Sequence, residues 1–174
     1  MLLAASLLLK VLAIPLLARI AWLDFSTQKI SNRDVLLLLC LGAGSLQLQS
    51  ALAGSWWDMG LSALAGLVLF VALFLFWALR KVGAGDVKLM SVTPFLVGGS
   101  GLVVFSLLLL VFALVTALLV KNPFLLPAGA FRVYVQHPDR KGVVPFGVPI
   151  SAAAICTIAF QIAYSLNALG EPSS

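Results

Sequence analysis

At 174 residues, with 62% hydrophobic and only 10% charged residues and a mean hydropathy of +1.14, the chain lies far from the ~45–50% apolar and ~25% charged usage of soluble domains. That excludes an ordinary soluble fold, and unbroken apolar runs of about 20 residues exclude a transmembrane β-barrel, whose strands alternate over ~10 residues. The formal charge of +5 points to membrane orientation rather than to nucleic acid, because loop bias accounts for a basic excess in a polytopic protein.

Leu2 to Leu23 is the first expected span, 22 residues or ~33 Å of helix against a ~30 Å hydrocarbon core. It carries Lys10, Pro15 and Arg19. Arg19 can snorkel to the nearer interface, whereas Lys10 near mid-span must face the bundle or a wet cavity. Pro15 should kink the helix. Because the apolar run continues to Leu23, it reads as a start-signal helix rather than a removable leader. Asp24 to Arg33 is expected to be a polar loop and Asp34 to Ala53 the second span, with Ser31 and Asp34 in capping-box spacing.

Gly54 to Asp58 turns the chain and offers Trp56 and Trp57 to an interfacial belt. Met59 to Leu79 is the third span, and Arg80 to Asp86 follows it. Val87 to Gly98, which holds Pro94, is ~18 Å as helix, too short to cross unaided. The run Gly98-Gly99-Ser100-Gly101 must interrupt the helix, since Val87 to Val120 as one rod would measure ~51 Å. Leu102 to Val120 is a full span. After a polar loop, in which Phe131 to Gln136 reads as interfacial loop or short strand, Val143 to about Leu166 is the last. The expected fold is therefore all-α, a polytopic membrane bundle of six transmembrane helices forming one domain over residues 1–174.

With six helices, the loops holding Lys29/Arg33, Arg80/Lys81/Lys88 and Lys121/Arg132/Arg140/Lys141 fall on one side, nine of the eleven basic residues. The other side keeps Asp58 and Glu171 with no Lys or Arg. Positive-inside then places the basic loops in the cytoplasm and both termini outside.

This topology brings Asp24, at the end of the first helix, and Asp86, at the start of the fourth, to the same membrane face. A carboxylate at such a boundary is costly and needs a reason. Two aspartates within a few ångströms share a proton and titrate as a pair, the arrangement in which one carboxylate activates water and the other polarises a scissile carbonyl. Gly83 and Gly85 beside Asp86 suit irregular backbone lining a water-filled cavity. No triad competes: His137 is the only histidine and reads as a solvated loop residue. Metal catalysis is not expected, with no HExxH pattern and no second histidine, and no cofactor is implied. Cys40 and Cys156 lie inside apolar runs and read as small buried hydrophobes.

Plainer readings stand beside these. A lone Gly-x-Gly-Asp is also compatible with a structural turn bearing a solvated acid. Asp34 reads as a cap residue and Asp58 as an interfacial charge. Lys88 is either a positive-inside anchor or a partner beside the acid.

Taken together, Gly83-Ala84-Gly85-Asp86-Val87-Lys88-Leu89 resembles the GxGD-x-K-L motif of the type IV prepilin peptidases. Asp24 followed by Lys29-Ile30-Ser31-Asn32 is similar to their first-aspartate segment, and Val144-Pro145-Phe146-Gly147-Val148-Pro149 to a Pro-aromatic-Gly segment near their last helix. The resemblance spans about Ala21 to Pro149. It implies a six-helix membrane aspartyl protease in the cytoplasmic (inner) membrane, with Asp24 and Asp86 as catalytic pair and Gly83, Gly85 and Lys88 as supporting motif residues. The implied partner is a prepilin or pseudopilin whose leader is cut on the cytoplasmic side, just before its hydrophobic helix. Ser31 stands where the family usually has proline. The sequence carries no cysteine-rich domain of the kind associated with methyltransferase activity in larger members, so N-methylation is not implied. The small form looks like the tight-adherence (Flp) pilus and archaeal preflagellin versions, and of these the bacterial Flp type is preferred.

Two other functions fit the residues. In a small transporter or channel component, Lys10, Arg19 and the acids would line an ion path. A presenilin-like protease would share the GxGD chemistry but cut within a transmembrane helix.

Overall fold

The computed structural model describes residues 1–121 and 146–170. They form five helices: α1 (Leu2–Thr27), α2 (Asn32–Ala53), α3 (Trp57–Ala78), α4 (Ala84–Lys121) and α5 (Gly147–Gly170). Each is long and apolar enough to cross a membrane, and among the described residues there is no strand. His137, Phe131 to Gln136 and the residues from Lys141 to Pro145 lie outside the described residues.

The expectation of six separate spans is corrected to five. The glycine run does interrupt the helix, as expected, but at one residue: α4 is two helical limbs joined across a kink at Gly98 (φ 72, ψ 162), a region essentially reserved for glycine. That single residue nonetheless folds the element back on itself. Asp86 and Met90 before Gly98 line one cavity with Ser106, Leu109, Leu110 and Ala113 after it, whereas on a straight helix Asp86 and Ala113 would stand roughly 40 Å apart. α5 runs beside both limbs, with Ile150 in that same cavity and Gln161 bonded to Val97 next to the fold.

α1 is longer at its C-terminus than expected. The hydroxyls of Ser26 and Thr27 donate back to the Leu23 carbonyl at 3.3 and 2.8 Å. The helix ends where Gln28 turns left-handed (φ 51) and its N–H donates to the Asp24 carbonyl. Asp24 is thus in the last helical turn, not in a loop. Ser31 caps α2 as its spacing suggested, its hydroxyl accepting from the Arg33 N–H at 3.3 Å, so α2 begins two residues before Asp34. The short connection makes α1 and α2 antiparallel neighbours.

Ser6, Lys10, Ala13, Leu17, Ile20 and Asp24 are the buried residues of α1, recurring at the three- and four-residue steps of one helix face. That face packs on Leu38 of α2, Leu89, Leu96 and Val97 of α4, and Ala153, Ala154 and Ile158 of α5. One stripe therefore carries a lysine and an aspartate inward along with the core. α3 buries only Ser62 and Gly66 and leaves Leu64, Leu67, Val68, Phe74 and Leu75 exposed, as suits a helix facing lipid. Cys40 and Cys156 are free and exposed, which corrects their reading as buried residues: they sit on the outer helix faces, where hydrocarbon satisfies an apolar side chain as well as a core does.

Candidate active site

Asp24 and Asp86, 62 positions apart in sequence, line one polar cleft of about 520 Å³ together with Gln28, Lys29, Ile30, Gly83, Ala84, Gly85, Lys88 and Phe146. The two carboxylates are close enough for the charge of Asp24 to act on Asp86. All five sequence-derived site residues, the two acids with Gly83, Gly85 and Lys88, are thus brought together at one end of the bundle.

Asp24 is 5% exposed. Its Oδ2 accepts the backbone N–H of Gly147 at 2.8 Å, the first residue of α5. Unsatisfied N–H groups and the positive end of the helix dipole make such a terminus a natural seat for a carboxylate. The fit leaves no room for a side chain, since a Cβ on Gly147 would fall 2.7 Å from both Cγ and Oδ2 of Asp24.

Asp86 stands in the first turn of α4, and its carboxylate reaches back to a backbone hydrogen bond at Gly83, the acid-to-cap half of a capping box. A Cβ on Gly83 would lie 3.0 Å from Asp86 Oδ2. Gly85 packs on Ile30, whose side chain a Cβ at that position would meet at 3.1–3.2 Å. This close approach sets the start of α4 against the connection that follows Asp24. Lys88 donates to Asn32 Oδ1 at 2.8 Å, tying α4 to the first residue of α2 while its side chain borders the cleft. Lys88 is therefore a link between elements.

A second cavity, about 400 Å³ and almost wholly apolar, opens from the same place. Leu73, Val82, Met90, Leu109, Leu110, Ala113 and Ile150 line it, and it shares Asp86 and Phe146 with the polar cleft. Asp86 thus stands at a boundary between a polar compartment and an apolar one.

The remaining acids go elsewhere. Asp34 accepts Arg19 Nη1 at 2.7 Å, so Arg19 is an ion-pair partner. Asp58 accepts the Ser100 hydroxyl at 3.1 Å, at the end of the bundle where α4 folds back. Among the described residues no group of three or more His, Cys, Asp or Glu side chains could hold a metal ion.

Sequence reasoning missed three contributors by mechanism: Gly147, which holds Asp24; Ile30, which Gly85 accommodates; and Asn32, which anchors Lys88. The signal for Gly147 was a glycine directly before an apolar helical run, but its partner lies 123 residues away.

The sequence model of the type IV leader peptidase family matches residues 11–120, a stretch that includes Asp24, Gly83, Gly85, Asp86 and Lys88. No curated protein and no solved structure matches the chain.

Proposed function

The chain belongs to the type IV leader peptidase family, and on that premise we propose that it is a membrane aspartic endopeptidase that removes the leader of a prepilin-like substrate, with Asp24 and Asp86 as its water-activating pair. The observation that carries this reading is the shared cleft: two carboxylates from α1 and α4 border one polar space, each held by a backbone N–H, Asp24 at Gly147 and Asp86 at Gly83.

In this mechanism a water lies between the carboxylates. One takes its proton as the oxygen attacks the scissile carbonyl carbon, and the other donates to the carbonyl oxygen. Collapse of the tetrahedral intermediate breaks the C–N bond, and the proton first removed from water passes to the leaving amine. Lys29, Arg33, Arg80, Lys81 and Lys88 gather near the cleft end, and the positive-inside bias assigns that end to the cytoplasm. With that end in the cytoplasm, the start of α1 and the end of α5 face the extracytoplasmic side. The cut falls at the cytoplasmic edge of the substrate's apolar helix, in the cytoplasmic (inner) membrane, and the Flp type of pilus system supplies the substrate.

The apolar cavity bordering Asp86 favours one second reading, cleavage within a transmembrane helix in the presenilin manner. Co-expression with a single-span precursor, a polar leader joined to an apolar helix, tests both. Mass spectrometry of the products should place the cut between leader and helix. A cut several residues inside the helix selects the second reading, and a precursor left intact by the accumulated wild-type protein removes both.

A further inference from the structure

Lys10 is a cation in the middle of a membrane-spanning helix, and it is 5% exposed. Its Nζ donates to Gln161 Oε1 of α5 at 2.7 Å. Gln161 Nε2 in turn donates to the Val97 carbonyl of α4 at 2.6 Å. Val97 immediately precedes Gly98, where α4 leaves helical geometry and the i→i−4 ladder is disturbed, so its carbonyl needs an outside donor. Gly101 makes the slot: a Cβ there would stand 2.5 Å from Gln161 Nε2. On the opposite side of the fold, Ser100 donates to Asp58 of α3, the carboxylate whose charge acts on Lys10. A Cβ on Gly99 would strike Leu61 of α3 at 2.9 Å. The fold in α4 is pinned from α1 and α5 on one side and from α3 on the other.

Burying an ammonium in a bilayer has a substantial cost, and a purely structural hydrogen bond to one carbonyl needs no lysine behind it. The lysine fixes which way the Gln161 amide faces: with its oxygen committed to the ammonium, its nitrogen must point at Val97. The limb that starts from this pin, residues 84–97, carries Asp86 about 17 Å away along a helix, and helices transmit axial displacement with little loss. We propose that Lys10 and Gln161 are positioning residues that set the register of this limb, and through it the placement of Asp86 opposite Asp24. The catalytic consequence rests on the peptidase reading; the geometric one does not.

Spin labels at Gln28 and Ala84, both bordering the cleft, report the placement directly, in protein with Cys40 and Cys156 replaced by serine and reconstituted in lipid nanodiscs. Lys10→Met should shift or broaden the label-to-label distance distribution. So should Gln161→Glu, which keeps an acceptor for Lys10 but loses the donor to Val97. Lys10→Arg, which keeps the donor, should restore the wild-type distribution. On the leader-plus-helix precursor, the first two variants should lower kcat about ten- to a hundredfold with KM within about twofold of wild type, and Lys10→Arg should recover most of the loss. An unchanged distance distribution in folded Lys10→Met overturns the proposal, as does a normal kcat per folded enzyme in either variant. If the wild type leaves the precursor uncut, the peptidase reading fails and the distance measurement alone decides the positioning.

Discussion

The N–H of Gly147 donates to the Asp24 carboxylate across 2.8 Å, so the first residue of the last helix holds the acid of the first. Gly147→Ala would place a carbon 2.7 Å from that carboxylate, well inside van der Waals contact, and Asp24 or the start of α5 must move. A displacement near 1 Å at a reacting group costs about 10²-fold in rate. We expect a loss of that order in leader removal with normal accumulation in the membrane, measured by precursor-to-product ratio on immunoblots.

Gly85 and Ile30 form a second such fit, but here the obstacle is the side chain of Ile30, which can be shortened. Gly85→Ala alone should reduce cleavage several-fold. Pairing it with Ile30→Ala should recover activity. If the double variant is no better than the single one, the close approach is not what Gly85 provides.

Lys88 and Asn32 are joined by one exposed hydrogen bond of 2.8 Å. If the bond between elements is the contribution of Lys88, then Lys88→Met and Asn32→Ala should each slow cleavage by a similar few-fold factor, and together by no more than either alone. A double-mutant cycle measures this coupling; additive losses would mean that Lys88 acts on the substrate instead.

Arg19 and Asp34 test the scaffold apart from the chemistry. Asp34 is 3% exposed and Arg19 61%, and the second carboxylate oxygen of Asp34 is buried without a partner among the described residues. Arg19→Met strands that acid and should destabilise the fold by about 1–3 kcal/mol, seen as a lower unfolding midpoint in detergent. Replacing both, Arg19→Met with Asp34→Leu, should return most of the stability, since a well-packed apolar pair often equals a buried ion pair. The activity of the folded fraction should stay near wild type in both, as neither residue borders the cleft.

Much of this arrangement was legible in the sequence because a membrane protein advertises its exceptions: charges inside apolar runs mark the inward face. Asp24, Asp86 and Lys10 stood out for that reason, and the structure buries or half-buries all three. What the linear pattern withheld was partnership over distance. Lys10 had no visible reason until Gln161, 151 residues later, met it. Gly147 looked like a helix start rather than the donor to Asp24. The glycine run from Gly98 to Gly101 announces the break in α4, but not that Gly98 alone makes it while Gly99 and Gly101 serve close packing. Asp24 reads as a loop residue because the hydroxyl-to-carbonyl bonds that prolong α1 to Thr27 have no apolar periodicity to announce them.

The most direct measurement is leader cleavage by purified protein in proteoliposomes, comparing wild type with Asp24→Asn and Asp86→Asn at equal folded amounts. Both substitutions keep the size of the side chain and remove the ionisable group. The account predicts product from the wild type and none above background from either variant. Retained cleavage by either one would contradict the shared-water mechanism.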